Sequence, residues 1–270
     1  MSVMTAAAPE SMARQKIIAI MIVGVGAGFL SGLFGVGGGI LIAPGLVLLA
    51  KMDHRRAYGT SLAAVLPIAL SSMITYWTHD HIDWPVMLCL TIGALGGAVI
   101  GTHLLNVVSQ SVLAIGFSAI LVLSAVRLFF ESDGDGRSAL SLWGIVLLIV
   151  IGLLSGILAG LLGVGGGIIM VPAMLVLFSI PSVVAKGTSL AVIVPTALMG
   201  TIRNRSNKNV DITAAVIIGL SGIVAAVAGA WFSTRLSDTT SNVLFACLML
   251  AVASKLLWQE KGRLSTRTEE

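Results

Sequence analysis

The sequence repeats itself at a shift of 128 positions. Gly35-Val36-Gly37-Gly38-Gly39-Ile40, Pro44, Gly59-Thr60-Ser61-Leu62-Ala63 and Pro67 return as Gly163-Val164-Gly165-Gly166-Gly167-Ile168, Pro172, Gly187-Thr188-Ser189-Leu190-Ala191 and Pro195. The correspondence runs without a gap from Gly28 onto Gly156 to Phe130 onto Trp258. Two copies of one apolar unit restrict the chain to a repeat architecture. In membrane proteins, such architectures place their site where the copies meet.

The units are apolar enough to need a bilayer. Of 270 residues, 57% are hydrophobic and 10% charged, with a mean hydropathy of +1.03, leaving too little polar surface for a soluble domain of this size. The apolar runs have helix length and do not alternate, so the fold class is an all-α integral membrane protein and not a barrel. The 31 glycines fit helices that approach closely in lipid. The charge of +4 resides in short loops flanking apolar segments, a topology signal and not a nucleic-acid footprint. Cys89 and Cys247 lie inside apolar segments and carry no assigned chemistry.

Apolar segments fall at roughly 17–33, 38–50, 57–78, 85–107 and 111–130, and again at 142–161, 166–180, 187–203, 212–234 and 240–258. The expected organisation is a cytoplasmic tail (1–16), a first transmembrane repeat (17–130), an extracytoplasmic linker (131–141), a second repeat (142–258) and a cytoplasmic tail (259–270). Lys and Arg collect on the cytoplasmic side. The loops holding Lys51, Arg55 and Arg56 and Arg203, Arg205 and Lys208 therefore read inside, whereas His79-Asp80-His81-Ile82-Asp83 reads outside. Equivalent loops thus differ in sign. Five segments per half also invert the second copy, giving an inverted-topology repeat with both termini in the cytoplasm. Joining the short second segment to its predecessor would instead give four crossings per half and a parallel repeat.

From Gly37 the second segment has about 13 residues before Lys51, or ~20 Å of helix, too short for a hydrocarbon core of roughly 30 Å. A broken or re-entrant helix at each Gly-rich turn follows. Its first-turn N–H groups lie in the membrane beside a partial positive charge, which suits an anion. The candidate substrate-binding residues are Gly37, Gly38, Gly39, Thr60 and Ser61, with Gly165, Gly166, Gly167, Thr188 and Ser189 in the second copy. Pro67 and Pro195 should kink the helices near the site. The glycine triplets also read as tight turns without a ligand, and the hydroxyls as helix caps or back-bonding groups. Gly24, Gly28 and Gly32, mirrored by Gly152, Gly156 and Gly160, read as helix-packing ridges.

Other chemistries fail on the residues. Lys186-Gly187-Thr188-Ser189 has the wrong order for a phosphate-binding loop, and the first copy has Tyr58 where the Lys stands. Gly35 and Gly37 lie in an apolar hairpin, not a strand-turn-helix. His79, His81, Asp80 and Asp83 read as a solvated loop, since the second copy keeps only Asp211, so no metal site is assigned. All twelve Asp and Glu fall in loops, termini or segment edges, leaving no mid-membrane carboxylate for a proton relay or a cation path. His103 reads as interfacial, and Arg127 and Lys255 as snorkelling groups.

With these motifs in tandem, the chain resembles the sulfite exporter TauE/SafE family over roughly residues 17–258. The resemblance implies a multi-pass transporter of the bacterial inner membrane that exports sulfite or small organosulfonates such as sulfoacetate. It is not expected to be an enzyme or to need a cofactor. The expected partners are the small anion and the bilayer, with no nucleic acid and a homo-oligomer left open. The alternatives are a divalent-cation transporter using the His79 to Asp83 loop and a membrane-embedded enzyme, for which the mid-segment residues offer only hydroxyls.

Overall fold

The structure, a computed structural model, describes residues 8–104, 115, 118–119, 121–126 and 140–267. The described residues form nine helices: α1 (Ala8–Phe34), α2 (Gly39–Leu49), α3 (His54–Trp77), α4 (Trp84–Leu104), α5 (Leu142–Leu162), α6 (Gly167–Phe178), α7 (Ser182–Ser206), α8 (Ile212–Ser233) and α9 (Asp238–Arg267). A further helical stretch covers 121–126. The 128-residue shift carries α2, α3 and α4 onto α6, α7 and α8 almost end to end, and all but the first six residues of α1 onto α5. Most of the expected 111–130 segment, Arg127 and the 131–141 linker up to residue 139 lie outside the described residues. Helix extends into both expected tails, α1 running back to Ala8 and α9 on to Arg267.

The break between the first two helices of each repeat is made by glycine backbone. Gly35, Gly37 and Gly38 have φ of 71°, 82° and 76°, and Gly163, Gly165 and Gly166 have 67°, 90° and 79°. A side chain strains that left-handed conformation, whereas glycine adopts it freely. The chain then reverses. A Cβ on Gly38 would meet Ala27 and one on Gly45 would meet Val23, so α2 folds back along α1. Gly166 against Ser155 and Gly144 against Phe178 show the same antiparallel hairpin for α5 and α6.

The two repeats are interlaced. The first helix of each packs against the fourth helix of the other, with glycines setting the distance. Cβ atoms on Gly28 and Gly32 would land on the carbonyl oxygens of Gly222 and Ala226, and on Gly97 and Gly156 on those of Leu153 and Ala94. Residue numbers rise together along both seams, so α1 runs parallel to α8 and α4 to α5. The sequence-equivalent pair α3 and α7 instead run antiparallel at the centre: Gly59 lies against Asn204 and Asn209, Gly200 against Leu62, and Gly187 against Tyr76.

Six of the helices are long and apolar enough to cross a bilayer: Lys16–Phe34 within α1, and α3, α4, α5, α7 and α8. Ile22, Leu88, Leu220 and Val224 project from them as exposed apolar residues, the surface lipid requires. One end of the bundle is basic, holding Arg55, Arg56, Arg203 and Arg205. There Arg56 pairs with Asp211 at 2.9 Å, joining the starts of α3 and α8. The opposite end carries Trp77 and Trp84, edge to face at 5.9 Å, together with Trp143 and Trp231. Indole side chains favour the interface between lipid and water.

Candidate functional site

The two glycine turns meet at the centre of the bundle. A Cβ on Gly39 would collide with Gly163 and Val164 of the opposing turn, and one on Gly167 with Gly35 and Val36. Between the turns sit Val65 and Ile193, equivalent residues that are both fully buried. Gly37 lies 3.1 Å from Val65 and 3.3 Å from Ile193, by the position its Cβ would take. The meeting point is therefore apolar and closed in this conformation.

Around it the backbone donors expected from the sequence are present. No side chain caps α2 or α6. Gly38 O accepts from Leu41 and Ile42 at 3.1 and 3.3 Å, and Gly166 O from Ile169 and Met170 at 3.2 and 3.3 Å. The N–H groups of Gly39, Ile40, Gly167 and Ile168 have no acceptor among the described residues, and Ile40 and Ile168 are buried. Four such donors in apolar surroundings favour an electronegative occupant.

The hydroxyls of the Thr-Ser pairs bond across the two repeats. Ser61 Oγ donates to Gly163 O at 2.8 Å and Ser189 Oγ to Gly35 O at 2.9 Å, each holding the other repeat's turn. Thr60 Oγ1 accepts from the Asp211 N–H and Thr188 Oγ1 from the Asp83 N–H, both at 2.9 Å. Asp83 and Asp211 in turn cap α4 and α8 through Val86 N and Ala214 N. The candidate hydroxyls thus staple one repeat to the other, and all four residues are fully buried. Ser61→Ala and Ser189→Ala are each expected to cost about 1 kcal/mol, and Thr60→Val or Thr188→Val more, because each strands a backbone N–H. Thermal unfolding in detergent measures this, and parental melting of all four variants would show that the staples carry no stability.

Pro67 and Pro195 lie inside uninterrupted helices. Pro67 Cγ packs where a Cβ on Gly219 would sit, so it shapes the contact between α3 and α8. At the basic end, a cavity of about 670 Å³ is lined by Arg55, His103, Arg203, Asn207 and Asn209. A second, of about 310 Å³, reaches from His54, Tyr58 and Lys255 to Ile40 and Val164 on the turns. His103 and Lys255 therefore line these basic-end cavities. At the other end the rings of His79 and His81 stack at 6.1 Å, and burial, then the neighbouring His79, holds His81 below the usual histidine pKa. Among the described residues, no three His, Cys, Asp or Glu side chains converge as metal ligands.

The sequence alone rejects Lys186 as part of a phosphate-binding loop and assigns it no other role. It is fully buried, and its Nζ donates to Ser233 Oγ at 3.1 Å and to Ser241 Oγ. The expected segment began at residue 187, which left Lys186 in a loop, but α7 starts at Ser182 and carries it one turn into the helix. The available signal was the departure from the repeat, Lys186 against Tyr58.

A model of the family "Sulfite exporter TauE/SafE" matches residues 2–128 and 148–270, one stretch in each half. The chain belongs to the TauE/SafE family. Similar proteins include the "Probable membrane transporter protein YunE" of Bacillus subtilis, 28% identical over 82% of this chain and 87% of its own length. A "Probable membrane transporter protein" of Xylella fastidiosa is 26% identical over 94% and 99%. A relative from Methanocaldococcus jannaschii with the same description is 29% identical over 68% and 70%. This TauE/SafE protein is accordingly an integral membrane transporter, and the described geometry spans both halves that the family model covers.

Proposed function

We propose that this TauE/SafE protein exports a small sulfur oxyanion, sulfite or an organosulfonate, across the bacterial cytoplasmic membrane. The observation that carries the reading is the meeting of two glycine turns whose buried backbone donors have no acceptor among the described residues, in a membrane transporter. The basic cavity at Arg55 and Arg203 supplies an entry that concentrates anions. On this reading the basic end faces the cytoplasm with both termini, and the antiparallel pairing of α3 with α7 reflects an inverted-topology repeat. An anion leaving a cell that is negative inside gains about 2.3 kcal/mol per charge per 100 mV, which provides a driving force without a coupled ion.

The test is flux of labelled sulfite into liposomes holding the purified protein under an imposed potential, with sulfoacetate and sulfate as competitors. Saturable flux that follows the potential and is blocked by a sulfonate is expected. Flux no greater than that of empty liposomes, from protein that melts cooperatively, would dismiss the sulfur-oxyanion reading.

A further inference from the structure

Lys186 is the one charged side chain among the described buried residues. Among the described residues its Nζ makes no ion pair; the pair present is Arg56 with Asp211, at the other end of the bundle. Asp238, at the start of α9, adds negative charge to the neighbourhood from beyond ion-pair distance. An ammonium has three donors, and two are taken by the neutral hydroxyls of Ser233 and Ser241. The third has no acceptor among the described residues. A cation kept from water with neutral partners alone is costly, and a bound anion is the compensation that membrane interiors commonly use.

The surroundings are unfinished in the same sense. Ser182, one turn before Lys186 on the same face of α7, is 1% exposed and its Oγ has no partner among the described residues. Ser31 Oγ, a hydroxyl that can donate, is likewise buried with no partner among the described residues and lies one turn before Gly35. A Cβ on Gly35 would meet the Lys186 backbone at 2.6 Å, so the lysine is seated against the first glycine turn. The equivalent position in the other repeat is Tyr58, with Tyr58 Oη 3.5 Å from His54 Nδ1.

We propose that Lys186, held by Ser233 and Ser241, is the cationic ligand for a small oxyanion on the side of the paired turns away from the basic cavities. The inference rests on the transport reading above and adds its charged residue. It also makes the two halves of the path chemically unequal: the anion leaves a solvated cluster of arginines and must meet one desolvated ammonium before release.

The experiment measures equilibrium binding of sulfite, methanesulfonate, sulfate, phosphate and chloride to the purified full-length protein, by thermal shift and calorimetry. Lys186→Met is compared with the parent, since Met approximates the length of the side chain without its charge. Saturable binding by the parent and at least a tenfold loss of affinity in K186M, with S233A and S241A intermediate, is the expected result. Affinity within twofold of the parent in a cooperatively melting K186M overturns the inference, as does failure of the parent to bind any of these anions. Lys186-dependent binding of phosphate or chloride but not of sulfite or methanesulfonate would keep the Lys186 site and remove the sulfur substrate. Should K186M not fold, the milder variants decide: affinity within twofold of the parent in cooperatively melting S233A and S241A alike overturns the site.

Discussion

Gly39→Val and Gly167→Val are each expected to reduce oxyanion flux at least tenfold while the protein still inserts and can be purified. Neither glycine has positive φ, so the substitution adds no left-handed strain of its own. The whole effect comes from the Cβ, which has no room against Gly163 and Val164 in one case and Gly35 and Val36 in the other. Because the obstacle is opposing backbone and not the end of a flexible side chain, relief requires the turns to separate. The cost falls at the upper end of overpacking, about 3 kcal/mol. Gly38→Leu and Gly166→Leu are less clean, since each also places a side chain in the left-handed region, worth about 1–2 kcal/mol, and against Ala27 or Ser155. Parental flux from both Gly39→Val and Gly167→Val, measured in the same liposomes, would remove the paired turns from the transport path.

The second large effect is expected to separate two neighbouring glycines. Gly97→Leu should abolish recovery of monodisperse protein, because even its Cβ would occupy the position of Leu153 O in the seam between α4 and α5. Gly96→Leu should be recovered at parental yield: Gly96 is exposed, and its Cβ would lie 3.7 Å from Leu153 Cδ1, an ordinary contact. Membrane helices gain little from hydrophobic transfer between one another, so close backbone approach carries much of their association. Size-exclusion chromatography and detergent melting read both variants. Equal behaviour would mean that this seam does not limit assembly.

The architecture was readable because its causes are local. Apolar runs of helix length, the Gly35 to Gly39 break and the short run to Lys51 located the hairpin within a few residues, and the 128-residue repeat carried it to the second copy. The ridge of Gly24, Gly28 and Gly32 read as packing, though its partner helix was not visible. Pairing between elements far apart in sequence was the part that could not be read. That Ser61 would bind Gly163 O and Thr188 would accept from Asp83 depends on how the repeats interlace, and a hydroxyl in sequence shows what it can bond, not what it faces. Lys186 was lost for a narrower reason. Helix α7 begins five residues earlier than its apolar run, because Pro181 and Ser182 start the helix ahead of the strongly apolar stretch.

The interlacing also dictates an order of assembly. On α4 and α5, Ala94 meets Gly156 about 60 positions away, whereas on α1 and α8, Gly28 meets Gly222 about 190 positions away. Loop closure favours the nearer pairing. At roughly 5–20 residues per second of synthesis, α1 waits about 10–40 s in the bilayer before its partner is made. During that interval the glycine face of α1 has no mate among the described residues of its own repeat, so the first half of the chain waits in the bilayer with one helix seam unpaired.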